Sequence, residues 1–294
     1  MKNTVFVLAA MIAMIGAASA EWVAVEVRAE DYPPEILVET RSLAPDGAPD
    51  ALVNVGSGNI AAVSYAAPTE RYAHGIMGDA VEHGSLVAVL RDGKRAALDL
   101  PSDQVFEDRY PRLADLDGDG SDEIIGILSS KTEGAAVAVY ELEDSLLVST
   151  AVSEPIGRSF RWLNIAGIAR FLPGEGKQIA FVRTPHIGGS LVLARYEGGR
   201  FTEIAWLYGF SNHAIGSREL RLSAVLDIDG DGIKELALPS ASRRQLKIVG
   251  FAGRDAKLIA EVELPAVIDK AIAIEEGTLV VGLSDGSVWQ VTQQ

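Results

Sequence analysis

Short apolar runs separated by turn-forming residues follow one another along almost the whole chain. Runs such as 124–128, 179–182 and 236–239 are only a few residues long and are dominated by aliphatic residues and phenylalanine. Short runs bounded by glycine, proline, asparagine or aspartate are typical of buried strands, because helices of globular proteins are usually about ten residues or longer. The pattern therefore predicts an all-β fold.

The predicted strands repeat with a period near 55 residues. Glu123, Gln178 and Glu235 each begin an apolar run, and they are separated by 55 and 57 residues. The residues that end the third strand of successive units keep this phase at steps of 56 and 55, and they are Tyr140, Tyr196 and Phe251. Units of this length with about four strands each are typical of the blades of a β-propeller.

Residues 21–294 provide about five such units, so we predict one β-propeller domain of five blades, each with four antiparallel strands. The fifth unit lacks an outer strand in its own sequence. Either Trp22–Val27 or residues 36–40 could supply that strand. Closure of the ring by the N-terminal segment would also pair an exposed strand edge, which is otherwise an aggregation liability.

Two of the units contain a nine-residue acidic loop with carboxylates at positions 1, 3, 5 and 9. These carboxylates are Asp115, Asp117, Asp119 and Glu123 in the first loop, and Asp227, Asp229, Asp231 and Glu235 in the second. Calcium takes about 6–8 oxygen ligands, and the carbonyls of Ser121 and Ile233 could each add one. Close carboxylates also repel one another unless a cation lies between them. We predict two calcium sites; the alternative is a solvated acidic turn, because Asp-Gly pairs are ordinary turn formers.

The residues after each loop exclude an EF-hand. An EF-hand needs a bidentate glutamate at position 12 and flanking helices, whereas position 12 is Gly126 or Leu238 here and a predicted strand follows. A third copy, 170–178, aligns without a gap but has Arg170, Leu172 and Gly174 in place of three aspartates. We expect no metal in this middle loop.

The two acidic loops on a period near 55 residues resemble those of FG-GAP/VCBS repeat proteins, which include the propellers of integrin α-chains. The resemblance covers roughly residues 50–290, although the FG-x-GAP hallmark itself is absent. It implies a propeller with cation sites in the hairpin between the first two strands of a blade. The family includes adhesion modules, assembly factors and domains attached to enzymes.

The first twenty residues have the composition of a secretory signal. Lys2 precedes the apolar run 5–15, and Ala18-Ser-Ala20 suggests cleavage between Ala20 and Glu21. The chain has no cysteine, so neither a disulfide nor thiol chemistry is available. Its net charge of −15 becomes one unit more negative when Lys2 is removed, which disfavours nucleic-acid binding because that needs a basic surface. We predict a periplasmic or secreted monomer that is not inserted in a membrane.

The loops of an up-and-down blade divide between two ends of the domain. The 1–2 and 3–4 turns, including the acidic loops, lie at one end (the metal-loop end). The 2–3 turns and the connections between units lie at the other (the connection end). All four histidines fall in long segments at the connection end. The residues predicted to bind a ligand there are His74, His186, Asn212, His213, Arg218 and Glu219. The alternative is that they are ordinary loop residues.

The sequence selects no reaction. It contains no nucleophile elbow, metalloprotease helix, phosphate-binding loop or dinucleotide fingerprint. We predict a calcium-binding module that recognises a protein or a glycan through the connection end. The alternative is a secreted propeller enzyme, a lyase or hydrolase, acting there on a carbohydrate or other small anionic substrate. Histidines in separate loops could also bind a transition metal.

Overall fold

The computed structural model describes residues 21–31 and 39–294, and within them twenty-one strands and one short 3-10 helix, Ala29–Asp31. The predicted signal segment, 1–20, lies outside the described residues. The described part of the chain contains no helix that is long and apolar enough to cross a membrane.

Twenty of the described strands group into sets of four that are paired antiparallel, and each set is called a unit below. Unit one contains β2 (Asn54–Val55), β3 (Ile60–Thr69), β4 (Glu82–Leu90) and β5 (Arg95–Asp99). Unit two contains β7 (Arg112–Ala114), β8 (Glu123–Ser130), β9 (Gly134–Glu143) and β10 (Leu146–Val152). Unit three contains β11 (Leu163–Ala169), β12 (Gln178–Arg183), β13 (Ser190–Glu197) and β14 (Arg200–Tyr208). Unit four contains β15 (Ala224–Leu226), β16 (Glu235–Pro239), β17 (Gln245–Ala252) and β18 (Asp255–Glu263).

Unit five is completed by the N-terminus. It contains β19 (Ile268–Glu275), β20 (Thr278–Leu283), β21 (Val288–Gln293) and β1 (Trp22–Val27). β1 pairs antiparallel with β21, from Trp22 opposite Gln293 to Val27 opposite Val288. The prediction that Trp22–Val27 supplies the outer strand is therefore confirmed. The other candidate, residues 36–40, lies mostly outside the described residues.

One strand was not expected from the sequence. β6 (Gln104–Phe106) pairs with β8 and also places Phe106 opposite His83 of β4. It joins units one and two into a single nine-stranded sheet, so the first two units share backbone hydrogen bonds and not only side-chain packing.

The units are arranged as in a β-propeller. Outer strands contact one another in chain order, from β5 to β10, β14, β18 and finally β1. The inner strands β11, β15 and β19 make the corresponding contacts nearer the axis. Between the sheets lie clusters of buried aliphatic and aromatic side chains, such as Phe181, Tyr196 and Ile248. Burial of such side chains contributes about 1.5–3 kcal/mol each. Contact between units five and one, which would close the ring, stays a prediction.

Candidate functional site

The two acidic loops fold in the same way. The carboxylate of Asp115 accepts hydrogen bonds from the backbone N–H groups of Gly118 (2.7 Å) and Gly120 (3.1 Å). In the second loop Asp227 accepts the equivalent bonds from Gly230 (2.8 Å) and Gly232 (3.1 Å). All four glycines have φ between 76° and 91°, a backbone region that glycine enters without a steric cost. The loop fold therefore follows directly from the repeated sequence pattern.

Three of the four carboxylates of each loop lie close together. In the first loop, oxygens of Asp115, Asp117 and Glu123 lie within 4.8 Å of one another. In the second loop the corresponding trio is Asp227, Asp229 and Asp231. Either cluster could hold a metal ion, and an all-oxygen donor set suits calcium among the common ions.

Charge at these loops is only partly balanced by the protein. Lys234 lies 2.9 Å from a carboxylate oxygen of Asp227, and this contact lowers the pKa of Asp227. In the first loop Glu123 is almost completely buried. Burial, followed by the charges of neighbouring carboxylates, raises the pKa of Glu123 to about 7. A bound cation would relieve that repulsion.

The middle loop, 170–178, forms a similar turn although it lacks the three aspartates of the acidic loops. The side-chain oxygen of Gln178 accepts hydrogen bonds from the backbone N–H groups of Phe171 and Leu172, both at 2.9 Å. Glu123 and Glu235 accept one such bond each, from Leu116 (2.6 Å) and Ile228 (2.9 Å). Position 9 therefore needs an acceptor in every copy, and only the first and last copies also carry the acidic cluster.

Each loop is tied to the unit before it by the backbone N–H at position 8. The three bonds are Asp122 N to Asn59 Oδ1 at 2.8 Å, Lys177 N to Leu116 O at 3.0 Å, and Lys234 N to Arg170 O at 2.9 Å. The conformation of each loop is thereby coupled to that of the preceding unit.

Three of the four histidines meet at the connection end. Nε2 of His213 lies 2.9 Å from the carbonyl oxygen of Ser217, and Nδ1 of His213 lies 2.9 Å from Nε2 of His186. Burial lowers the pKa of both histidines to about 4, so both are neutral at pH 7. Because a carbonyl can only accept, His213 carries its proton on Nε2, and His186 must donate from Nε2. Nδ1 of His186 is therefore an unprotonated acceptor.

His74 is held by a buried glutamate. Nδ1 of His74 lies 2.5 Å from one carboxylate oxygen of Glu107, and the hydroxyl of Ser129 donates to the other. Glu107 is completely buried, and burial raises its pKa. Nε2 of His74 has no hydrogen-bond partner among residues 21–31 and 39–294. With one proton the pair presents a base at Nε2, and with two protons it presents an acid.

A second buried acid lies beside this pair. Glu82 is 1% exposed, and burial, followed by the charge of Glu107, raises its pKa to about 10. It is therefore protonated at neutral pH. Asp108, which is also completely buried, forms an ion pair with Arg112.

His74 and His186 border a cavity of about 190 Å³. Four connecting segments of the chain line the cavity. Its polar and aromatic lining residues are His74, Phe160, Arg161, Trp162, Thr184 and His186. The Trp162 ring stacks on His186 with an interplanar angle of 4°, and its indole N–H donates to the backbone oxygen of Glu107 at 2.9 Å. Phe160 and Thr184 have φ of 55° and 48°, and strained backbone of this kind clusters at functional sites.

The other residues predicted to bind a ligand, Arg218, Glu219 and Asn212, contact other parts of the protein. Arg218 forms ion pairs with Asp50 (3.0 Å) and Asp79 (2.7 Å). Glu219 is paired with Arg221 at 2.7 Å. Asn212 is completely buried, and its backbone oxygen accepts a hydrogen bond from the side chain of Asn164. None of the three lines the cavity.

Sequence reasoning missed the residues that orient the histidines. Glu107 and Phe160 lie in connections that were expected to reach this end, but neither was predicted as a site residue. Glu107 and Asp108 are adjacent acids that directly follow the apolar pair Val105–Phe106, which is the one signal that could have suggested buried carboxylates.

The sequence matches no protein-family model and no curated protein sequence. Among solved structures, a Bacteroides fragilis protein provisionally described as a 6-phosphogluconolactonase shares 14% identity over 85% of this chain and 67% of its own, with a TM-score of 0.49. The exotype rhamnogalacturonan lyase YesX shares 16% identity over 88% of this chain, with a TM-score of 0.45. The chain spans 57% of that lyase. Similarities this distant assign no activity to the chain, and they do not test its resemblance to FG-GAP/VCBS repeat proteins.

Proposed function

We propose that the chain is a calcium-stabilised, five-bladed propeller enzyme, exported after cleavage near Ala20, with an acid–base site at the connection end. Its substrate is a carbohydrate or another small anionic molecule. The observation that carries this proposal is the His74–Glu107 pair beside the cavity. A histidine held by a buried carboxylate at the wall of a cavity, with no partner for its second nitrogen among the described residues, is an arrangement suited to general acid–base catalysis.

His74 would transfer the proton, and Glu107 would position it. Proton transfer by a positioned side chain typically contributes about 10²–10⁴ in rate. Nδ1 of His186 is a second acceptor at the same cavity, and it can receive a hydrogen bond from a substrate hydroxyl. The site therefore has groups for two contacts with one small polyhydroxylated molecule.

The positive charge near the cavity favours an anionic substrate. Arg161 lines the cavity, and it donates only to the backbone oxygen of Phe160 among the described residues. Arg243 lies near enough to both His186 and His213 to lower their pKa. In a protein of net charge −15, a local excess of arginine focuses anions on this end.

The volume of the cavity limits what can enter. About 190 Å³ is smaller than the roughly 300–1,000 Å³ of common ligand pockets. It would hold the end of a substrate, such as one sugar ring, and the rest would lie across the exposed rim.

The test is a product assay on uronate oligosaccharides, neutral oligosaccharides and sugar lactones. A lyase would give an unsaturated product, and a hydrolase would give a new reducing end or an opened lactone. We expect turnover by the wild type and a loss of at least about 100-fold in His74→Gln and Glu107→Gln. Glu133→Gln, an exposed glutamate subjected to the same change, should retain full activity. Turnover that survives in both site variants would contradict the proposal.

A binding module is the second candidate, and the rim of the cavity favours it. Phe160, Ile187 and Ile215 are 46%, 61% and 69% exposed around the opening, and exposed apolar clusters often mark binding surfaces. Saturable binding of an oligosaccharide without any product, abolished by Phe160→Ala, would support this function over catalysis.

A further inference from the structure

A larger cleft lies at the opposite end of the protein, between units three and four. Its volume is about 590 Å³, which is within the range of small-ligand sites. The side chains that line it include Leu172, Pro173, Arg195, Arg200, Thr202 and Arg254. They come from the middle loop, from β13 and β14, and from the β17–β18 turn, all of which reach the metal-loop end.

The cleft is basic although the protein is acidic. Three arginines and one glutamate, Glu197, line it. Arg195 lies 3.5 Å from Glu197 in a solvent-exposed pair, which is weak at such a site. Arg200 and Arg254 form no ion pair with any described residue, and both are exposed. Two guanidinium groups are therefore available to a ligand, and a guanidinium presents paired N–H donors that match a carboxylate.

The cleft exists where a unit has lost its acidic cluster. Leu172 and Pro173 occupy positions 3 and 4 of the middle loop, and position 3 is an aspartate in both acidic loops. Leu172 is 3% exposed and packs into the core, whereas Pro173 is exposed at the cleft. An apolar surface next to free arginines replaces the carboxylates that would repel an anion.

We propose that this cleft binds an acidic oligosaccharide through its carboxylates. The guanidinium groups of Arg200 and Arg254 hold the carboxylates, Thr202 offers a hydroxyl to the sugar, and Pro173 contacts the apolar face of a ring. A long polyanion such as a nucleic acid would meet the negative charge outside the cleft, so a short chain with spaced charges fits better. This site does not depend on the acid–base chemistry at the connection end.

The experiment is a calorimetric titration of the full-length mature protein with a trisaccharide of mannuronic acid. Mannotriose serves as the neutral ligand of equal length. The variants are Arg200→Gln/Arg254→Gln and Arg200→Lys/Arg254→Lys. Lys131→Gln is the matched control, because it removes an exposed positive charge at the connection end. His74→Gln is included to separate this site from the proposed catalytic one.

The proposal predicts saturable binding of the acidic trisaccharide, and none of mannotriose. The glutamine double variant should bind at least tenfold more weakly, and the lysine double variant should also be impaired, since an ammonium lacks the paired donors. Lys131→Gln and His74→Gln should bind like the wild type. Absence of binding, or equal binding by the glutamine variant, would overturn the proposal. Tighter binding of an aspartate-rich peptide, or displacement by equimolar inorganic phosphate, would overturn the assignment to a saccharide.

Discussion

Removal of calcium should lower the thermal stability of the protein through the two acidic loops. The informative variant is the double change Asp117→Ala/Asp229→Ala. Each of these aspartates accepts one backbone N–H bond at 3.2 Å, from Asp119 or Asp231, and both are exposed. Their loss therefore costs the metal-free loop little, at the lower end of about 0.5–1.5 kcal/mol per bond, while it removes a ligand from each site.

The size of the effect follows from ligand linkage. A cation that binds only the folded state adds about 2.7 kcal/mol per site at a hundredfold excess over its dissociation constant. Two sites together would contribute about 5.4 kcal/mol. A change of 1 kcal/mol shifts the melting temperature of a domain of this size by about 2 °C, so chelation should lower it by about 10 °C.

Differential scanning calorimetry with and without a calcium chelator measures this shift directly. The wild type should lose about 10 °C on chelation, and the double variant should melt near the chelated wild type under both conditions. Asp122→Ala, which changes a half-buried loop aspartate outside the acidic cluster, should keep the calcium response. A wild-type melting curve that is identical in calcium and in chelator would refute the assignment of both loops.

Three further predictions concern pH, packing and the N-terminal strand. The pKa of Glu123 is raised from 4.5 to about 7, so the metal-free folded protein should lose stability as pH rises from 4.5 to 7. Calcium affinity should increase over the same pH range, because Glu123 loses its proton there. Melting curves and calcium titrations from pH 4.5 to 7.5 check both predictions. Gly189→Ala should destabilise the protein by several kcal/mol or prevent folding, because a Cβ there would lie 1.5 Å from the Phe210 carbonyl oxygen; denaturant unfolding measures this, with the open-space Gly188→Ser as a comparison for a change at positive φ. Deletion of residues 21–27 removes β1 and exposes β21, so the truncated protein should melt lower and aggregate more readily, as light scattering would show.

The local features of the fold could be predicted from the sequence. The apolar runs 124–128 and 179–182 lie within β8 and β12, because short apolar runs bounded by turn residues are local signals. The acidic loops were equally local, since Asp115 and Asp227 bind backbone groups only a few residues away. The N-terminal region could be expected to complete unit five, which had three strands and needed a fourth, but the sequence left two candidate segments open.

The candidate site was less predictable because its geometry depends on contacts between distant segments. The sequence identified His74, His186 and His213, and the structure brings them together. It could not show that Glu107, 33 residues from His74, would hold its ring, or that Arg218 would be paired with Asp50, 168 residues away. Burial and ion pairing of this kind depend on the packing of whole units. β6 was not predicted because its three residues are too few to show a periodic pattern of apolar positions.

We propose that the two ends differ in their roles, because metal binding at the metal-loop end stabilises the fold while acid–base chemistry takes place at the connection end. The most direct test is turnover and melting temperature measured side by side in His74→Gln and Asp227→Asn, in the presence of calcium and with the best substrate found. We predict that His74→Gln loses about 100-fold or more in turnover with an almost unchanged melting temperature. Asp227→Asn should melt several degrees lower and keep its turnover per folded molecule. The opposite result, with normal turnover in His74→Gln and lost turnover in folded Asp227→Asn, would contradict the account and place the chemistry at the metal.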